Sequence, residues 1–521
     1  MLIMCSVVAV YGTTLCAWTL YYAASSCRTV LPWTHCGNAW NSEQCVQNVK
    51  SLTVSTSSTL RGSMVNATLS PDNRTIDVAG RGWGNSTLSH TASEEFWQYK
   101  VLGISSGLEQ LGSIRWELVL CLFASWLLIF GCIVKGVRSV GKVVYVTATL
   151  PYIFLFILLV RGLTLPGGPD GALFYLTPDF SKLLDIQVWL GACVQVLYSL
   201  GPAFGSIITM ASYNTFHSNC LRNAVICACV CGGTSLLAGL VIFSILGFMA
   251  HEADVPITAV SSSGPGLGFV TYPEALAQLP VPQLWSFLFF VMLIFLVLDS
   301  LFSTVETVIA VILDEYPFLL KWRIFVNLGY CTVSFLVGII FTTEGGMYLF
   351  QLVDWYLAAI FIIFAGFLEC IIFGWIYGVN RLSADIELMI GRPAPWFFKI
   401  SWRYITPSLL LTIFISTLMK YKPPTYESYV YPGYAASIGW TITSIPCIPL
   451  AVMMVVAIYR EKGSLSQRLV KSLKPHSSWG PAKTSYRDMY CSGNMERSSP
   501  ERDTCIPAAS CTPRTAKHTL E

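Results

Sequence analysis

The chain has 521 residues, of which 54% are hydrophobic and only 12% charged, with 32 basic against 29 acidic side chains. A mean hydropathy of +0.60 lies above what a soluble domain with a wetted surface reaches, so a multi-pass membrane protein is expected. The formal charge of +3 leaves no electrostatic footprint for nucleic acid, and repeated long uncharged runs exclude an ordinary cytosolic enzyme.

Hydropathy marks ten apolar stretches, near 2–24, 116–134, 143–160, 188–211, 224–250, 283–313, 324–342, 350–378, 402–419 and 435–459. A helix needs roughly 20 apolar residues to cross the hydrocarbon, so each reads as a candidate span. The first starts almost at Met1 and carries Cys5, Ser6, Tyr11, Gly12, Thr13 and Thr14, more polar than a plain anchor. Its length and the lack of a basic leading segment argue against a cleaved signal peptide.

Two independent signals set the orientation. The segment 25–115 carries acceptor sequons at Asn66, Asn73 and Asn85, which glycosylation uses only in the lumen, so this large loop is expected outside. Lys135, Arg138 and Lys142, then Lys321 and Arg323, then Arg381 and Arg392 fall in alternate short loops, whereas His251 to Gln283 holds no Lys or Arg. Ten crossings divide the chain into a bundle, 1–459, and a cytosolic tail, 460–521, basic at first and expected to lack structure from about residue 486. Most of the 18 cysteines lie in apolar stretches or the tail, where thiols stay free, but Cys36 and Cys45 sit in the extracellular segment and are expected to form a local disulfide.

The fourth stretch is interrupted by Tyr198-Ser199-Leu200-Gly201-Pro202-Ala203-Phe204-Gly205. Gly-Pro at bilayer depth breaks the backbone ladder, either as a kinked packing helix or as an unwound segment whose carbonyls and hydroxyls meet an ion. The sixth carries Leu296, Asp299, Ser300, Ser303 and Glu306 among apolar residues. A mid-membrane carboxylate is costly, so Asp299 should face a cation, a proton relay or a hydrogen-bonding partner, and the neighbouring hydroxyls suit a hard alkali ion. Asp354 and Glu344 near one mouth, and Asp314 and Glu315 near the other, are either gate charges or solvated helix ends. No P-loop, zinc-spaced Cys/His set or nucleophile triad occurs, which points away from an enzyme.

Leu31-Pro32-Trp33 with Cys36 and Cys45, Gly141-Lys142-Val143-Val144-Tyr145, Tyr198-Ser199-Leu200-Gly201-Pro202, Ala211-Ser212-Tyr213-Asn214, Leu298-Asp299-Ser300 and Asp314-Glu315-Tyr316-Pro317 resemble the sodium- and chloride-dependent neurotransmitter symporter family. The likeness runs from residue 1 to about 485, and Ser478-Trp479-Gly480-Pro481 is most similar to the glycine and proline transporter branch. It implies an all-α integral membrane fold, a LeuT-type bundle of about ten transmembrane helices matching helices three to twelve of the family, so that the first two would be absent.

The same resemblance assigns Leu296, Asp299, Ser300 and Ser199 to bound sodium, and Gln195, Ser199 and Ser235 to chloride. Tyr198, Phe204 and Gly201 would line the substrate pocket, Asp354 would be the extracellular gate acid, and Asp314 with Tyr213 would belong to the cytosolic gate. Two positions depart from the family pattern. Cys231 stands where the family has a sodium-ligating Asn. The substrate-contacting Tyr aligns to Gly12, with Tyr11 one position away and expected to point about 100 degrees off the pocket. The implied activity is sodium- and chloride-coupled uptake of a small zwitterion at the plasma membrane by alternating access, weakened by the missing helices. The alternative is a non-transporting membrane partner. A channel or a heptahelical receptor fits less well, since no pore-lining ring repeats and the span count is wrong. Partners would be the substrate, membrane lipid, and either further copies or a full-length transporter.

Overall fold

The protein is described from a computed structural model covering residues 2–46, 90–134, 136–201, 203–260, 265–419, 421, 423–426, 429–475, 479–481 and 483–497. Asn66, Asn73 and Asn85 lie outside the described residues.

Helix α1, Leu2–Ser26, has apolar residues around its whole circumference, the pattern of a helix enclosed on every side. It lies along α8, Pro282–Glu315, and is flanked by α2, Trp116–Ile133, and α9, Arg323–Gly338. Between these run α3, Val137–Leu163, the short α4, Gly168–Leu176, α5, Ile186–Leu200, α6, Ser206–Ser212, and α7, Cys220–Ala253. The C-terminal part adds α10, Gly346–Tyr356, α11, Ile362–Ile371, α12, Val379–Ile390, α13, Thr406–Met419, α14, Gly433–Ser444, and α15, Cys447–Arg460. Two tail helices follow, α16, Leu465–Ser472, and α17, Thr484–Arg497. The described strands are two-residue pairs, Cys45–Val46 parallel to His90–Thr91 and Thr425–Tyr426 antiparallel to Tyr429–Val430, so the fold is all-α in substance.

Six helical segments among the described residues are long and apolar enough to cross a membrane, or eight if each of two bent pairs is one span. The remaining two of the ten expected stretches are helical but interrupted. The stretch 188–211 divides into α5 and α6, and 402–419 is built from π-helical turns over Ser401–Ile405 followed by α13. Ten crossings therefore requires counting both interrupted segments as spans.

In lipid, helices gain little by hiding apolar surface from one another, so packing depends on close contact between shapes. At the α4–α7 crossing a Cβ on Gly171 would sit 2.0 Å from the Phe243 carbonyl, and one on Gly247 would sit 2.6 Å from Gly171 Cα; only glycine permits this approach. At the C-terminal end of α1, Trp18 and Tyr22 are fully buried in an aromatic cluster with Trp33, Phe96, Trp97, Phe269 and Phe290. Trp97 stacks on Phe269 at 4.7 Å, and the Tyr22 hydroxyl donates to the Phe269 carbonyl at 2.8 Å. Thus part of the expected loop 25–115 is ordered core. Cys36 and Cys45 are joined by a disulfide, and the turn it closes is pinned by the buried Glu95, whose carboxylate accepts from the Ser42 amide and the Asn41 side-chain amide, each at 3.0 Å. The tail also departs from expectation. Helix α17 occupies the segment expected to lack structure, and Tyr486 stacks on Phe216 at 4.2 Å, which fixes it to the bundle.

Candidate functional site

The site is organised by the interruption between α5 and α6. Helix α5 ends at Gly201, left-handed at φ 59°, and α6 begins after Gly205, at φ 82°. Between them Ala203 is also left-handed, at φ 66°, a conformation that costs a residue with a Cβ about 1–2 kcal/mol. Unwinding frees backbone groups that must find partners at this depth. A side chain from another helix supplies one: the Cys5 thiol of α1 donates to the Phe204 carbonyl at 2.8 Å, and the Glu369 carboxylate of α11 lies beside Ala203. The segment is therefore an unwound stretch rather than a kinked continuous helix.

On one flank of the break, Gln195 and Ser199 lie four residues apart and share a face of α5. The Ser199 hydroxyl pairs with the Cys231 thiol of α7 at 2.9 Å, and the Ser235 hydroxyl donates to the Cys231 carbonyl at 3.1 Å. Cys231 thus lies between both serines. Gln195, Ser199 and Ser235 are all exposed.

Asp299 on α8 accepts a short hydrogen bond from the Thr147 hydroxyl of α3. Ser300 is exposed, and its carbonyl accepts from the hydroxyls of Ser303 and Thr304 at 2.9 and 2.8 Å. Leu296 is exposed, whereas Leu298 is buried. The residues expected at the two sodium sites are held by different neighbours, Ser199 by α7 and Asp299 by α3. What connects them is α6, which packs on α8.

Asp354 of α10 is held by Tyr11 of α1, which donates to its Oδ1 at 3.2 Å, with Tyr198 close to both. Tyr11 thus faces Asp354, whereas position 12 faces α8, where a Cβ would come 3.3 Å from the Leu301 side chain. Tyr213 donates to Glu306 Oε1 at 3.3 Å, and the same oxygen accepts from Arg323 Nη2 at 2.5 Å. Glu306 is fully buried, whereas Asp314 stands exposed, so Tyr213 is joined to the Glu306–Arg323 ion pair rather than to Asp314. Sequence reasoning passed over Glu369, Thr147, Cys5 and the Glu306–Arg323 link. Glu369 had the same signal as Asp299, a lone carboxylate in an apolar run.

A model of the sodium:neurotransmitter symporter family matches residues 1–461. The chain belongs to that family. As a sodium:neurotransmitter symporter family member it is a multi-pass membrane protein of a secondary-transport family, not an enzyme. It is 41% identical over 494 residues to the sodium- and chloride-dependent glycine transporter 1 of Xenopus laevis, covering 94% of this chain and 76% of that protein. Against glycine transporter 2 of the same organism it is 38% identical over 494 residues, 94% of this chain and 62% of that protein. Against the sodium- and chloride-dependent taurine transporter of Canis lupus familiaris it is 42% identical over 486 residues, 91% of this chain and 73% of that protein.

Proposed function

We propose that the protein couples sodium and chloride movement to transport of a small zwitterion, of the size of glycine or taurine, across the plasma membrane by alternating access, with its C-terminal segment in the cytosol. The observation that carries this reading is the break between Gly201 and Gly205, held by the Cys5 thiol within a chain of the symporter family. In it, Leu296, Asp299, Ser300 and Ser199 supply oxygens for sodium, and Gln195, Ser199 and Ser235 supply donors for chloride. Tyr198, Phe204 and Gly201 contact the substrate. Asp354 with Tyr11 closes the outer side, and Tyr213 with Glu306 and Arg323 the inner side, Asp314 lying beside them. Coupling follows if the ions favour the state that holds substrate, since a ligand shifts an equilibrium only by its differential affinity for the two states.

The test is uptake into proteoliposomes containing the purified chain. Labelled glycine or taurine should accumulate under an inward sodium gradient, stop when the gradient is collapsed, and be lost in Asp299→Ala. Uptake that ignores sodium overturns the reading. A second reading, a non-transporting partner of a full-length relative, is favoured by the exposure of Gln195, Ser199 and Ser235, which no described segment covers. It expects no uptake alone but altered surface delivery of a co-expressed relative.

A further inference from the structure

The span over Ile362–Ile376 ends in a bend of 86° into α12, made at Gly378, whose φ of 94° a side chain would resist. Beside this bend is a cavity of about 460 Å³, within the range of small-molecule sites. Its walls come from the bend, from the π-helical turn Ser401–Ile405 and from the tail just after α16, and they present three cations, Arg381, Arg403 and Lys474. Arg403 lies 5.5 Å over the Trp375 ring and 5.4 Å over that of Tyr404, and among the described residues no carboxylate lies within 4 Å of it. Near the bend, Asp385 accepts from the Tyr377 hydroxyl at 2.5 Å and lies near Arg381. Tyr377 in turn accepts from the Trp479 indole at 3.2 Å, so the tail is fastened to the cavity rim.

We propose that this cavity binds a phosphomonoester anion. Three cations carried on separate elements, one already oriented by aromatic rings, match a compact ligand with several negative charges better than a single carboxylate. The adjoining α16 carries Leu465, Leu469 and Val470 exposed beside Arg468 and Lys471, the pattern of a helix lying in a membrane interface, and basic pockets at such interfaces take phosphorylated lipid headgroups. The chemistry is the same for a lipid headgroup and for a free inositol phosphate.

The experiment uses the full chain in nanodiscs, with lipid retention measured by native mass spectrometry and affinity by titration. Phosphatidylinositol 4,5-bisphosphate should bind well above phosphatidylserine. Arg381→Gln/Arg403→Gln should weaken it about tenfold or more, Lys474→Gln on the exposed tail should weaken it less, and Arg403→Lys, which keeps the charge but loses the stacked planar fork, should also weaken it, though less than the double variant. Soluble inositol 1,4,5-trisphosphate in a second arm decides the source: competition at comparable affinity indicates a free phosphate, and failure to compete indicates the lipid. Equal binding of phosphatidylserine, or no loss in both the double variant and Lys474→Gln, overturns the proposal. Because the readout is binding, it can fail while the transport reading stands.

Discussion

The Tyr11 hydroxyl donates to Asp354 Oδ1 at 3.2 Å across 343 positions of sequence, joining α1 to α10. Tyr198, just before the helix break, lies close to the same carboxylate, so the three residues bring α1, the end of α5 and α10 together. This proximity makes their effects interdependent.

Tyr11→Phe and Tyr198→Phe are each expected to cost about 0.5–1.5 kcal/mol, the net worth of one hydrogen bond. Their combination should depart from additivity by about 0.5 kcal/mol or more, read as thermal stability and as substrate KM in a double-mutant cycle. Strict additivity would mean that the two tyrosines do not share Asp354.

Glu306 is buried while its partner Arg323 is partly exposed, and Glu306 Oε2 and Arg323 Nε have no further hydrogen bond among the described residues. Removing one member strands the other, so Glu306→Gln or Arg323→Gln should each destabilise by about 3–5 kcal/mol. Glu306→Leu with Arg323→Met should cost less than either single change, seen as a recovered midpoint in thermal unfolding.

Cys231 places a soft sulfur 2.9 Å from Ser199, where a hard alkali ion would gain from an oxygen. Cys231→Asn is expected to lower the sodium concentration needed for half-maximal thermal stabilisation. Sodium response unchanged or weakened by Cys231→Asn would remove Ser199 from the sodium ligands.

Glu369 brings a carboxylate beside Ala203, which holds a strained left-handed conformation. Glu369→Gln keeps a carbonyl acceptor and should be tolerated, whereas Glu369→Ala should lower stability by about 1–3 kcal/mol through the orphaned amide and reduce transport. Equal behaviour of the two variants in unfolding and uptake would show that the unwound segment does not lean on this carboxylate.

Hydropathy alone located the apolar stretches, because roughly 20 residues without charge have few alternatives to a membrane helix. Gly201-Pro202 likewise announced a break, since neither residue sustains a helix ladder. Periodicity could not reveal which helix meets which. That Tyr11 rather than Gly12 faces Asp354 depends on Leu301 occupying the space beside position 12, a contact between residues 289 positions apart. That Tyr213 joins Glu306 rather than Asp314 depends on Glu306 being enclosed while Asp314, eight residues on, is left at the exposed helix end. The amino-acid sequence by itself determined a helical membrane bundle with one broken span and carboxylates at costly depths, because those properties are local and are charged against lipid residue by residue. Only the tertiary structure decided the partners of those carboxylates, because a buried charge takes whichever donor the packing of distant helices brings within 3 Å or so.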